Sequence, residues 1–242
     1  MLPAGCFPIG SFMKHTDYQQ SLYPLQDEIL SLINGLNLPF YLSGGTALSR
    51  YYLNHRYSED LDLFVNSHAD FRALVEEIEA EFKANQVTYN ALTRSADFVR
   101  LEVIGKDKTP LKLDLVNDLV CHIGGFELSA VLGRVDNVYN ILSNKISAIP
   151  RLEIKDFADI VFIARKYRFN WKIVINEAMQ KDTWVNPLDL AKYFIGLDAK
   201  RFELIPWINP INIAKLMKDC EIIVDEIVRG SVNSLAEETP AI

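Results

Sequence analysis

Two aspartates, Asp60 and Asp62, alternate with Leu61 and Leu63 at the head of an apolar run that ends at Val65. Side chains at i and i+2 of a strand share a face. Asp60 and Asp62 then project together, while Leu61 and Leu63 turn the other way into a core. Two carboxylates roughly 4 Å apart repel by about 4 kcal/mol at an effective dielectric near 20. A hard divalent cation removes that repulsion. Mg²⁺ suits a site with few protein carboxylates, because it keeps water and takes substrate phosphates as ligands.

A lone Asp-x-Asp more often marks the solvated face of a half-exposed strand, so two further features carry the assignment. Asp114, in Leu111-Lys112-Leu113-Asp114-Leu115-Val116, offers a third carboxylate from another strand. Gly44-Gly45 follow the short apolar run 38–43 at a strand-to-helix junction. Bare backbone N–H groups and a helix N-terminus at such a junction can receive phosphate. The glycines would hold a triphosphate and the three carboxylates one or two Mg²⁺ ions. One ion would activate an attacking hydroxyl, and the other would steady charge on the triphosphate and leaving pyrophosphate. Neither GxxxxGKS/T nor GxGxxG occurs, so this is not a Walker loop or a dinucleotide fingerprint.

The elements that must position these groups follow from periodicity. Residues 17–36 carry helical apolar spacing, 38–43 a strand, and 47–55 a helix that Thr46 is placed to cap. A second strand covers 61–65. Phe71, Leu74, Val75, Ile78 and Phe82 recur at helical spacing in the next segment. Three strand-like segments follow, at 87–92, 97–105 and 111–118, joined by turn-rich links. The order α-β-α-β-α-β-β-β predicts a mixed sheet rather than an alternating βαβ run. Beyond about residue 135 five segments carry helical periodicity, punctuated by Pro150, Pro187 and Pro210. The expected fold is α/β in the α+β sense. A mixed-sheet domain spans 1–135, and an all-helical domain of 136–242 completes the cleft. The tail 231–242 reads as loose.

At 242 residues, 49% hydrophobic and 24% charged, the chain is long enough to bury a sizeable core without disulfide or metal staples. The net charge of -7 argues against a sequence-blind nucleic-acid binder, while leaving room for a local basic groove. Cys6, Cys121 and Cys220 are scattered and odd in number, which fits a reducing cytoplasm rather than a zinc site. No apolar run has the length of a membrane span, and the N-terminus lacks the basic region of a signal peptide. Met13-Lys14 reads as an alternative start.

The run Gly44-Gly45-Thr46-Ala47-Leu48, His55-Arg56, Ser58 and Asp60-Leu61-Asp62-Leu63-Phe64 resembles the first motif of the AbiEii/AbiGii toxin family. These are nucleotidyltransferases of the DNA polymerase β-like superfamily. Lys112-Leu113-Asp114 matches the second motif, and Lys145, Ala148, Arg151, Lys155, Asp156 and Asp159 match a later helical one. The resemblance covers about residues 38–166. It implies a Mg²⁺-dependent enzyme moving a nucleotide from a nucleoside triphosphate to a hydroxyl, tRNA being the acceptor for related toxins, with an antitoxin protein as partner. It makes Asp60, Asp62 and Asp114 both catalytic and metal-binding. It places Ser43, Gly44, Gly45, Thr46, Arg56, Lys145 and Asp156 at the nucleotide. Superfamily members commonly carry Gly-Ser where this chain has Gly44-Gly45, which makes Ser43 and Thr46 the nearest hydroxyls to the phosphates.

Other residues have two readings each. Arg151 can clamp phosphate or cap carbonyls at the break after Pro150. His55 can touch substrate or hold its loop. Arg100 is expected to face the site. Trp171, Trp184 and Trp207 read as core or interface anchors, and His15, His68 and His122 receive no role. A non-catalytic binding module that keeps the fold is the rival from another class. A transferase that holds a nucleotide-sugar with Asp-x-Asp is a second enzyme reading.

Overall fold

The computed structural model describes residues 15–118 and 122–236. The proposed alternative start and two of the three cysteines lie outside them. A helix opens as α1 (His15–Asp17), passes through a π-helical turn at Tyr18–Leu22 and continues as α2 (Tyr23–Gly35). Strand β1 (Tyr41–Ser43) leads into α3 (Gly44–Ala47), which runs on as π-helical Leu48–Leu53. Asn54, at φ +50°, stops it. Then come β2 (Leu61–Asn66), α4 (Phe71–Ala84), β3 (Thr88–Arg94), β4 (Phe98–Ile104) and β5 (Pro110–Asp118). Strands β6 (Phe126–Ser129) and β7 (Gly133–Asp136) precede α5 (Val138–Ala148), α6 (Ile154–Lys166), α7 (Trp171–Lys181), α8 (Pro187–Ile195) and α9 (Ile213–Arg229).

The seven strands form one mixed sheet in the order β3-β4-β5-β2-β1-β7-β6. The pairs β2–β5 and β1–β7 are parallel, and the other four are antiparallel. Alternation sorts the central strands. Leu61, Leu63, Val65, Leu111, Leu113, Leu115, Leu101 and Val103 are buried in one cluster with Ile29, Ile33, Phe71, Ile78 and Phe82 from α2 and α4. At about 25 cal/mol per Å² of apolar surface, each such side chain contributes roughly 1.5–3 kcal/mol. That burial fixes the register. A one-residue slip would send the leucines outward and the aspartates into the core.

The mixed sheet and the five helices of the second half follow the expectation. Strands β6 and β7 do not, because at four residues each they are too short to show alternation. Thr46 is not a cap. Ser43 occupies that position, and Thr46, three residues into the helix, donates its hydroxyl to the Asp60 carbonyl. The tail is not loose where it is described. Asn233 is buried and donates to the carbonyls of Phe169, Ala164 and Tyr167, and Ser234 donates to Glu226. No described helix is long and apolar enough to cross a membrane.

Candidate active site

Strand register lays a row of polar side chains across the sheet. Ser43 on β1 faces Asp62 on β2, Asp62 faces Asp114 on β5, and Asp114 faces Arg100 on β4. The neighbouring row, one residue earlier on β2 and β5, is the buried leucine row. Asp62 and Asp114 therefore meet because their leucine neighbours must be buried. Asp60 stands just before β2 rather than within it. Lys112, two residues before Asp114 and so on its face, pairs with Asp60 at 2.5 Å. Arg100 forks onto both oxygens of Asp114, at 2.7 Å each. Burial pushes the Asp62 carboxyl up to about 6, and the charges of Asp60 and Asp114 push the same way.

The diglycine sits against this row. Gly44, at φ +67°, has the backbone that L side chains avoid, and a Cβ there would lie 2.4 Å from Asp62 Oδ2. A Cβ on Gly45 would lie 2.7 Å from Arg56 Nη2 and 3.0 Å from Ser58 Oγ. The first glycine thus admits the Asp62 carboxylate and the second admits the Arg56 guanidinium. The two hydroxyls expected near phosphate are spoken for. Ser43 Oγ donates to Asp136 Oδ2 at 2.6 Å, and Thr46 is fully buried on the Asp60 carbonyl. Asp136 also pairs with His122 and accepts from Asn140, so His122 anchors the partner of Ser43.

Behind the glycines lies a buried ion network. Asp159 accepts Arg56 Nε and Nη2 at 2.7 Å each, pairs with His55 Nε2 at 2.8 Å, and meets Lys145 Nζ at 2.7 Å. Lys145 also donates to Asp156 at 2.7 Å, and Arg151 reaches Asp156 at 3.0 Å. Burial alone would raise the Asp159 carboxyl, but Arg56 and Lys145 hold it well below the usual range. The same burial works against the charge on Lys145, yet Asp159 and Asp156 leave its ammonium harder to deprotonate than usual. Burial lowers His55 and favours the neutral ring. The segment 54–60 is therefore not just a connecting loop. Its His55, Arg56 and Ser58 are buried; His55 and Arg56 reach Asp159 on α6, and the Ser58 backbone reaches Gln26 and Tyr23 on α2.

A cleft of ≈ 540 Å³ opens over the glycines. Ser43, Gly44, Gly45, Asp62, Phe64 and, at the far end of β5, Asp118 line its sheet side. Lys145, Arg151, Asn144, Lys181, Asp182 and Trp184 line the helical side. Arg56, Thr46 and Asp156 stand behind this lining rather than in it. Trp184 departs from the anchor reading. It is half-buried on the cleft wall, with its indole N–H on the Ser147 carbonyl at 3.0 Å and its ring edge-on to Tyr193. Trp171, fully buried, and Trp207, packed against Phe162, are anchors as expected. A larger hollow of ≈ 950 Å³ lies by α4 and the β3–β4 turn, away from the carboxylate row. The glycines, Asp62 and Lys145 converge on the smaller cleft.

Sequence reasoning missed Asp136, Asn144 and Lys181, and named Lys112 in the second motif without giving it a role. Lys112 was legible, since it shares Asp114's face at i–2. The ammonium of Lys181 is held by the oxygens of Asn140, Ser143 and Asn144 at 2.6 Å each. That contact joins α7 to α5, and no sequence spacing announces it.

The strand–diglycine–helix junction, the in-register aspartates of two parallel strands and the helical wall across the cleft are the frame on which the family assignment falls, that of a nucleotidyl transferase. Residues 30–192 match the model of the nucleotidyl transferase AbiEii toxin family of type IV toxin–antitoxin systems, and the chain belongs to that family. Its fold is similar to that of the nucleotidyltransferase toxin MenT4 from Mycobacterium tuberculosis, with a TM-score of 0.63, 16% identity, and 86% of this chain and 82% of that one covered. It is also similar to JHP933 from Helicobacter pylori, with a TM-score of 0.55, 19% identity, and 87% and 95% covered. No curated protein sequence matches the chain.

Proposed function

We propose that the protein transfers a nucleotide from a Mg²⁺-bound nucleoside triphosphate to a hydroxyl of an RNA acceptor such as tRNA, as the toxin partner of an antitoxin protein. The observation that carries this is the Asp62–Asp114 pair, in register on parallel strands beside a diglycine that opens onto a cleft with a cationic far wall.

The donor set fits a hard cation. All three candidate ligands offer carboxylate oxygen, and burial together with the charges of Asp60 and Asp114, only partly offset by Lys112 and Lys145, raises the Asp62 carboxyl, a cost that a cation relieves. Among the described residues no three such side chains gather as a ready-made metal site, and Lys112 and Arg100 pair with Asp60 and Asp114. Asp60, Asp62 and Asp114 would hold Mg²⁺, which supplies Lewis-acid stabilisation of phosphoryl charge when bound. The backbone of Gly44 and Gly45, which face the cleft, receives phosphate oxygens. Lys145 and Arg151 bring positive charge to the triphosphate. Asp159 keeps Lys145 charged and aimed, and Trp184 offers a flat face to a base. Asp136 fixes Ser43, and through it the turn.

Incubation with each α-labelled nucleoside triphosphate, Mg²⁺ and total RNA tests this reading. Label on RNA with the wild type, and none with Asp62→Asn, is the expected result. Label on neither RNA nor protein with every nucleotide would favour a binding module.

A further inference from the structure

The cleft and the carboxylate row are not coextensive. Ser43, the glycines and Asp62 line the cleft, but Asp60, Asp114, Arg100 and Lys112 do not. Asp114 and Lys112 lie on β5 and Arg100 on β4, beyond Asp62, while Asp60 stands at the head of β2 with Lys112 on it. An in-line displacement sets the attacking hydroxyl opposite the leaving group. With the triphosphate on the β1 side, the hydroxyl arrives over β5 and β4, where two cations wait. The side chains of Arg100 and Lys112 are 37% and 35% exposed, so each can reach solvent while paired with its aspartate.

We propose that Arg100 and Lys112 form a two-state acceptor clamp. Without a divalent cation they neutralise Asp114 and Asp60, and when the cation takes those carboxylates they turn to the phosphodiesters beside the terminal hydroxyl of a single-stranded RNA. This rests on the nucleotidyltransferase reading above and deepens it. The clamp selects a polyanionic acceptor, because an RNA end carries a phosphodiester on the same nucleotide as its terminal hydroxyl and a protein hydroxyl has no such fixed anion. Arg100 is suited to the exchange, since its fork fits carboxylate and phosphate alike. Glu102, facing Lys112 across the β4–β5 pair, disfavours an anion lying flat on the sheet there. The strand is therefore gripped at the row's edge, between Arg100 and Lys112. The order of events also follows. The cation binds first and the acceptor second, since the same two side chains serve both.

The two states predict opposite signs. Arg100→Gln and Lys112→Gln free a carboxylate, so Mg²⁺ alone should bind each variant several-fold tighter than it binds the wild type. A 12-nucleotide single-stranded RNA, fluorescein-labelled at its 5′ end and followed by anisotropy in Mg²⁺ at fixed ionic strength, should bind roughly five- to tenfold weaker. Its salt slope should fall by about 0.7 per cation removed. Arg100→Lys should weaken RNA binding less than Arg100→Gln and keep the wild-type salt slope, which separates lost charge from lost fold. In chelator the RNA affinities of all four proteins should converge. RNA affinity unchanged in both Gln variants, or falling equally with and without Mg²⁺, overturns the clamp. So does Mg²⁺ affinity that falls alongside it. Binding of nucleoside triphosphate with Mg²⁺ is measured on the same samples. Its absence from the wild type would instead sink the reading beneath.

Discussion

Asp62 Oδ2 occupies the space into which a side chain on Gly44 would grow: a Cβ there would stand 2.4 Å away. The carboxylate and the turn are one feature, with each shaped by the other. Gly44→Ala meets two penalties, a backbone at φ +67° and a clash with a group held by strand register. The left-handed backbone alone costs about 1–2 kcal/mol for a residue with a Cβ. Denaturant unfolding should show at least that loss. Nucleotide affinity should fall further than stability does, because the displaced group is Asp62. Gly44→Ala with wild-type nucleotide affinity would separate the two.

Asp62 also gives the protein a pH dependence with a definite sign. Its carboxyl is raised from 3.8 to about 6, so between those values the folded chain holds a proton that the unfolded chain has released. Stability without metal must therefore fall as pH rises through that window. The size is on the order of 2 kcal/mol, since one unit is about 1.4 kcal/mol and solvent screens part of it. Asp62→Asn should lack this slope. Mg²⁺ competes with the same proton, so its apparent affinity should climb from pH 5 to pH 7 and level off above. An affinity flat across that range would count against Asp62 as a ligand.

Asp159 behaves in the opposite way. It has no side-chain exposure and accepts from Arg56, Lys145 and His55. Asp159→Asn leaves two buried cations short of a counter-charge, which costs about 3–5 kcal/mol for a broken buried pair. Its folded pKa lies below its unfolded one. The stability it contributes is thus full above about pH 4 and is lost as pH falls through the depressed value. The gap between wild type and Asp159→Asn, read from urea midpoints, should be constant from pH 5 to pH 8 and close only in acid. A gap that closes near neutrality would point to His55 instead.

What was legible in the sequence was what burial dictates. Alternating leucines announced β2 and β5, and with them the shared face of Asp62 and Asp114. Helical stripes announced α2, α4 and α5–α9. Strands β6 and β7 were not legible, because four residues cannot establish a period. Arg56 illustrates a second limit. Its motif position drew it to the nucleotide, but whether its fork meets a ligand or Asp159 depends on where α6 packs, over a hundred residues later. Trp184 and Lys181 show the same limit in reverse. Trp184 reads from the sequence as an anchor and Lys181 draws no reading, until α5, α7 and α8 fold into one wall.

That wall supplies the last prediction. Trp184 is the aromatic ring on the cleft lining of the helical side, and it is held still: its N–H is tied to Ser147 and its edge rests on Tyr193. A ring immobilised in this way loses little entropy when a base stacks on it. Stacking on an aromatic is worth about 1–3 kcal/mol per base. Trp184→Ala should weaken nucleoside triphosphate binding roughly five- to a hundredfold by that figure. Trp184→Phe should retain most of the affinity, because the face survives although the Ser147 hydrogen bond is lost. Inorganic triphosphate, which has no base, should bind wild type and Trp184→Ala alike. Equal weakening of the base-free ligand would mean that the substitution had disturbed the glycine end of the cleft, and Trp184 would revert to an anchor.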